Sequence, residues 1–278
     1  MLHALNLHAK PIKINRDGAY SAAPIFRWPS GVPITNPVGV GKAMPDIIYP
    51  RRHRTSVPSW SGTEQYLTAE HEKISQLTKG IDGWLADGDA YKLYEIGYHA
   101  GDVILEIGTY AGKSAVIEIL GSRANPRRKR TRWFGLDLDP KAIWRTRKTL
   151  EQWNLIQHAR MFNSDLGNFI PAHVISPTMV FVDGDHKYEG VKEDIALLSQ
   201  FLGRGVPVLF HDYLNPQTEG VQRACDEWEQ TGHVKFMGCF GCSALFLTLR
   251  GRPHHVFLWE KLKFSIRKRF RKLRHLTA

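Results

Sequence analysis

From Val103 to Gln230 the chain repeats one texture: a short apolar run with a polar end, often followed by a segment of helical period. "VILEIG" (103–108) precedes "GKSAVIEILGSR", and "RWFGLDLD" (132–139) precedes "PKAIWRTRKTLEQW", with Pro140 where a first helical turn tolerates it. "ARMFNSD" (159–165) is a third run. "TMVFVDGD" (178–185) leads into "YEGVKEDIALLSQFL", and "VPVLFHDY" (206–213) leads into "TEGVQRACDEWEQ". "HVKFMGCFGCSALFLTLR" (233–250) reads as two strands closing in a hairpin around Cys239–Cys242. Strands that alternate with helices must pair in parallel, with helices covering both faces. The expected fold is therefore α/β: a doubly wound, mostly parallel sheet of seven strands whose C-terminal hairpin adds an antiparallel edge.

In such a sheet ligands sit outside the carboxyl ends of the strands. All five of the alternating strands point polar groups there: Glu106; Asp137; Ser164 and Asp165; Asp183 with Asp185 and His186; His211 and Asp212. The first tip narrows the ligand. Gly108 to Ser114 spells G-x-x-x-G-K-S, one residue short of the loop whose backbone N–H groups encircle a phosphate. The nicotinamide fingerprint fails as well, because Tyr110 takes the place of its second glycine. What remains is an acid, a two-glycine turn and a second acid on the next strand. Gly108 admits a ligand close to the backbone, Gly112 lets the next helix pack, and Asp137 can accept both hydrogen bonds of a ribose diol. That describes a nucleoside without a polyphosphate.

These segments resemble the class I S-adenosylmethionine (SAM) methyltransferases, which have a Rossmann-like sheet. "VILEIGTYAGKSAV" looks like their first motif, "FGLDLDP" like their second, and "FNSDLGNFIP" like their adenine-side loop. "FVDGDHKYEGVKEDI" with "VLFHDY" is similar to the subgroup of sugar and macrolide-sugar O-methyltransferases, the class 24-like family, and more distantly to catechol-type enzymes. The similarity spans about 85–250. It implies SAM as cofactor, with Glu106, Gly108, Thr109, Tyr110 and Gly112 along its methionine half and Lys113 and Ser114 starting the helix there. Asp137 would hold the ribose, Leu138 would lie beside the adenine, and Ser164 and Asp165 would flank it. Asp183 would face the sulfonium. Asp139 and Asp165 have a plainer use, as a helix cap and a turn residue.

Methyl transfer to a hydroxyl is an in-line displacement, so positioning supplies much of the rate. The acceptor must also lose a proton, to a general base or with the help of a divalent cation. The resemblance makes His186 the base, with His211 in reserve, and places a magnesium ion between Asp183 and Asp212. The string His211-Asp212-Tyr213 departs from the paired acids or Asp-Asn of metal-dependent relatives, which leaves metal dependence open.

The ends differ from this body. Residues 1–60 hold 8 Lys/Arg against 2 Asp/Glu and residues 251–278 hold 9 against 1, while 61–250 hold 21 against 24. A nucleic-acid groove carved into the core does not fit that distribution; basic tails on an anionic surface do. Residues 1–62 are a Pro- and Gly-rich irregular arm, and 63–250 the SAM-binding domain, opened by helices over 63–100. Residues 251–278 form a basic amphipathic helix, with Trp259, Leu262, Ile266, Phe270 and Leu273 on one side. That helix suits packing on its own domain, peripheral contact with anionic lipid, or RNA. Neither a secretory leader nor a spanning segment is recognisable, and three cysteines make no disulfide framework, so a cytoplasmic protein is expected, at most peripheral at the inner membrane face. Cys239 and Cys242 have metal-ligand spacing without a second pair and read as a hairpin turn. The functional expectation is a SAM-dependent O-methyltransferase for a sugar, glycan or other hydroxylated small molecule, acting as a monomer or homo-oligomer. The alternatives are an RNA or protein methyltransferase and a non-catalytic SAM-binding regulator.

Overall fold

The computed structural model describes residues 78–251 apart from 129 and 174, together with residues 74 and 76 and the backbone of Ile47–Ile48. The irregular arm other than Ile47–Ile48, much of the first helical stretch and the basic C-terminal helix lie outside the described residues.

Among the described residues, eight strands form one sheet: β1 (Ile47–Ile48), β2 (Val103–Ile107), β3 (Arg132–Asp137), β4 (Ala159–Asn163), β5 (Met179–Val182), β6 (Pro207–Phe210), β7 (Val234–Phe240) and β8 (Ser243–Thr248). They are accompanied by the helices α1 (Asp87–Ala100), α2 (Lys113–Ala124), α3 (Pro140–Gln152), α4 (Leu166–Ala172), α5 (Tyr188–Phe201) and α6 (Glu219–Gln230). The strands run in the order β1-β7-β8-β6-β5-β2-β3-β4. Pairing is parallel from β6 through β5, β2 and β3 to β4. The alternation of apolar runs and helices thus gives the doubly wound sheet it implies.

The hairpin supplies the antiparallel side of the sheet, as expected. Its second strand β8 lies between β6 and β7, antiparallel to both. Burial explains the choice. β8 carries no charge and is buried at five of six positions, whereas β7 contains Lys235 and is half-buried there and at Phe236. The strand without a charge takes the interior. The two-residue β1, unforeseen in the arm, pairs antiparallel with β7 through Ile47↔Phe240 and Ile48↔Cys239.

Strand alternation divides the core in two. Ile104, Trp133, Phe181 and Leu209 pack with α1 and α2 on one face. Val103, Leu105, Ile107, Val180, Val182, Val208 and Phe210 pack with residues of α4, α5 and α6 on the other. Chain order reverses between β2 and β5, so the crevice expected of this fold opens at the ends of those two strands. Local chemistry fixes the helices that flank it. Asp139 caps α3 by accepting Lys141 N–H at 2.8 Å ahead of Pro140, and Asp165 caps α4 by accepting Asn168 N–H at 2.7 Å.

Candidate active site

The turn after β2 is built to run close to its neighbour. Gly108 has φ +84° and Gly112 φ +82°, and between them Tyr110 holds φ +45° without being glycine. A Cβ at Gly108 would lie 2.0 Å from the carbonyl oxygen of Asp183, so the two strand tips touch backbone to backbone. Asp137 secures the turn from the other side. Its Oδ2 accepts Thr109 N–H at 2.9 Å and Tyr110 N–H at 3.1 Å, and its Oδ1 accepts Asp139 N–H at 2.9 Å. A carboxylate has about four acceptor positions, so Oδ1 keeps one for a ligand hydroxyl. α3 braces the same turn, with Thr149 Oγ1 donating to Ala111 O at 2.7 Å. From the segment before α1, Asp82 accepts Tyr110 OH at 3.1 Å and Gly83 O accepts Lys113 Nζ at 3.1 Å.

Beside the turn, at the tips of β5 and β6, two carboxylates and two imidazoles alternate. His186 Nε2 lies 3.5 Å from Asp183 Oδ1 and 3.3 Å from Asp212 Oδ2. His211 Nδ1 lies 3.1 Å and 3.4 Å from the same two oxygens. His186 is 44% exposed and forms the mouth, while His211 is 5% exposed and forms the floor. Below it, His211 Nε2 meets Cys242 Sγ at 3.1 Å, and Asp89 Oδ2 is 3.7 Å away. Asp212 is held at φ +58°, a strained setting for a non-glycine residue, which aims its carboxylate at the cluster.

The electrostatics follow from this packing. Burial would push His211 down, but Asp183, Asp212 and Asp89 together hold it well above its ordinary value. His186 is raised by its hydrogen bond to Asp183, against burial. Burial would raise both acids, yet the imidazoles keep Asp183 low and bring Asp212 to about 2. Two carboxylates held ionised and two imidazoles biased towards protonation balance one another, so a cation entering the cluster would take the place of ring protons. His211 Nδ1 is buried and, despite its two oxygen neighbours, makes no hydrogen bond of acceptable geometry. Its donor set of two carboxylates and an orphaned nitrogen fits a divalent cation.

Glu106 sits lower, beneath the turn and completely buried. It accepts a hydrogen bond from Ser114 Oγ, and Trp133 Nε1–H is shared between Glu106 Oε2 at 3.0 Å and Glu118 Oε2 at 2.9 Å. Burial raises both acids, Glu118 to about 8, and the pair holds a proton between them. An acid whose folded pKa exceeds its unfolded one stabilises the fold below the unfolded value and loses that contribution as pH rises through the folded value. Stability should thus decline from about pH 4.5 to pH 8. Glu118→Gln keeps an acceptor for the indole and offers Glu106 an amide donor. It should raise the melting temperature at pH 8, by up to a few kcal/mol of stability, and give little at pH 4.5. Equal melting shifts at both pH values would show that the buried pair is not the cause.

Residues 105–213 match the model of the family Methyltransf_24, described as a methyltransferase domain. Over that stretch the chain is similar to a methyltransferase domain. No curated protein matches the sequence. Among solved structures, cofactor-bound Rv0187 from MTB aligns with TM-score 0.52 and 16% identity over 66% of this chain and 89% of its own. The O-methyltransferase from Bacillus cereus, in complex with SAH, aligns with TM-score 0.51 and 15% identity over 66% and 92%. At those identities the likeness lies in the fold.

Within the matched stretch, the structure gathers Gly108, Thr109, Tyr110, Gly112 and Asp137 into one turn, and Asp183, His186, His211 and Asp212 into one cluster touching it. Leu138 is 72% exposed on the rim, where Asn163 Nδ2 donates to its carbonyl at 2.8 Å. Ser164 N–H donates to Asp137 O at 3.1 Å, and the Asp165 carboxylate is occupied in capping α4. Glu106 and Ser114 bond to each other under the turn rather than facing the crevice. Asp89, Asn163, Asn215 and Cys242 were not foreseen. Asp89 Oδ1 accepts Cys242 N–H at 3.1 Å and Ser243 N–H at 3.0 Å, while Asn215 Nδ2 donates to Asp212 Oδ1 at 3.0 Å. The signal for Asp89 was an acid in the first turn of an apolar helix, indistinguishable in sequence from an ordinary cap. Cys239 and Cys242 are free and buried, and the latter lies in the hairpin turn. No described helix is long and apolar enough to cross a membrane.

Proposed function

We propose that this chain transfers the methyl group of SAM to a hydroxyl of a sugar or another hydroxylated small molecule, with His186 as general base. One observation carries the reading: a half-exposed imidazole, held at one nitrogen by two carboxylates, stands at the tip of the strand that touches the two-glycine turn. With Nε2–H directed at Asp183 and Asp212, Nδ1 is the nitrogen left to accept a proton. The carboxylates stabilise the imidazolium that results, and they raise its basicity beforehand. Gly108 brings the methionine half of the donor against the backbone, and the free position on Asp137 Oδ1 takes a ribose hydroxyl. The donor sulfonium then lies beside Asp183, and the acceptor oxygen between it and His186. An aliphatic hydroxyl is a poor acid, which suits a site this rich in paired charges better than a phenolic acceptor would require.

Asp183, Asp212 and His211 would hold a divalent cation at this place, and such an ion supplies stabilisation to a developing alkoxide. The protein's own contribution is to orient the hydroxyl, receive its proton at His186 and hold the donor in line.

The test is transfer of labelled methyl from SAM to panels of glycosides, catechols and RNA. Label recovered as an ether on a glycoside or related alcohol is expected. Label confined to RNA or protein, or absent from every acceptor while SAM binds, would overturn the reading in favour of a macromolecular substrate or a regulator.

A further inference from the structure

We propose that the cation held here is a borderline transition-metal ion, of the Co²⁺, Fe²⁺ or Zn²⁺ kind, and not magnesium, because the buried nitrogen His211 Nδ1 coordinates it together with Asp183 Oδ1 and Asp212 Oδ2. The proposal rests on the cation site named above and identifies what that site selects.

The orphaned nitrogen is the starting point. His211 is almost wholly buried, and its Nε2 lies against Cys242 Sγ and Asp89. A proton on Nε2 is received there, so a divalent ion that displaces the other ring proton finds the Nδ1 lone pair free to coordinate it. That lone pair is aimed between two anionic oxygens, 3.1 and 3.4 Å away. Lone pair against carboxylate repels, so something positive belongs between them. Without an ion, a ring proton on Nδ1 supplies that charge, but it has hydrogen-bonding geometry to neither oxygen. One ion shared by all three does better: donors about 2.0–2.2 Å from a common metal stand about 3.0–3.6 Å from each other. Both measured separations fall in that interval.

The surroundings have the form such a ligand takes. A metal-bound histidine usually donates its other N–H to a carboxylate or similar acceptor, which fixes the ring. Cys242 Sγ stands in that place at 3.1 Å, with Asp89 behind it. Asp89 itself is saturated: Oδ1 accepts from the Cys242 and Ser243 backbones and from Ser243 Oγ, and Oδ2 accepts Ala86 N–H at 2.9 Å and the Cys242 thiol at 3.4 Å. It therefore serves as support and not as a ligand. On the open side, His186 Nε2 faces the same two oxygens, so it lies next to the ion and stays available to an entering hydroxyl. Magnesium takes oxygen ligands at near-octahedral geometry and has little use for imidazole, whereas later first-row ions accept it readily.

The experiment uses the full chain after chelation, titrated calorimetrically with CoCl2, ZnCl2 and MgCl2. One equivalent of Co²⁺ or Zn²⁺ is expected to bind at least about 100-fold more tightly than Mg²⁺. His211→Asn should cut that preference at least about tenfold, while His186→Ala changes it less than about threefold. Because the first variant replaces a buried ring, wild-type protein supplies an independent reading. Its Co²⁺ form should show a hyperfine-shifted, slowly exchanging imidazole N–H from the buried Nε2, detectable by proton NMR. Absence of that resonance, binding of Mg²⁺ as tight as Co²⁺, or no stoichiometric metal at all would each overturn the proposal. None of these readouts involves methyl transfer. A protein that binds Co²⁺ as described but methylates nothing would refute the proposed activity and leave the metal site standing.

Discussion

Replacing His186 with alanine is expected to lower kcat by roughly 10²–10⁴-fold, the range general-base catalysis supplies, while SAH binding stays within about threefold of wild type. The split follows from geometry. His186 approaches Asp183 and Asp212 through their side chains, whereas the two-glycine turn meets Asp183 through its backbone carbonyl, a contact the variant leaves in place. Single-turnover methyl transfer measured beside SAH calorimetry separates the two effects, and added imidazole should restore part of the lost rate. Turnover near the wild-type value would remove His186 from the mechanism and pass the base role to another group.

Gly108→Ala should be the more damaging change to the cofactor side. A side chain at φ +84° costs on the order of 1–2 kcal/mol by itself. Here the added Cβ also meets the Asp183 carbonyl at 2.0 Å, so the turn or the tip of β5 must move. Displacement at that contact should weaken SAH binding by about 100-fold or more and reduce turnover at least as far. Gly205 is the matched control. It has φ +81° and nothing within 4 Å of where a Cβ would stand, so Gly205→Ala should show only the backbone cost. Thermal melting and SAH titration of the two variants check this: modest destabilisation in Gly205→Ala, a larger one in Gly108→Ala, and SAH binding lost in Gly108→Ala alone. Equal SAH affinity in both would contradict the close approach as a cofactor device.

The architecture was legible because burial on two faces leaves a strong record. "VILEI", "MVFV" and "PVLF" are apolar at nearly every position, as central parallel strands must be, and Pro140 and Asp139 mark the start of α3. The place of β8 was not legible. A hairpin reads the same whether its second strand ends the sheet or enters it, and only competition for the buried slot decides. At the site, the tip residues identified themselves by being polar at the end of apolar runs. Their partners did not. Asp89 comes from a helix 122 residues before His211 in the chain, and only folding brings them together. Glu106 shows the converse. A strand-tip acid suggests an open crevice, but its position in the β2 alternation points it towards Trp133 and α2, where burial beside Glu118 favours its protonated form.

For any of this chemistry to occur, the crevice between β2 and β5 must hold a sulfonium nucleoside donor. Calorimetric titration of the full chain with S-adenosylhomocysteine measures this directly. One site per chain with a Kd of roughly 1–100 µM is predicted; no saturable heat up to about 1 mM would contradict it.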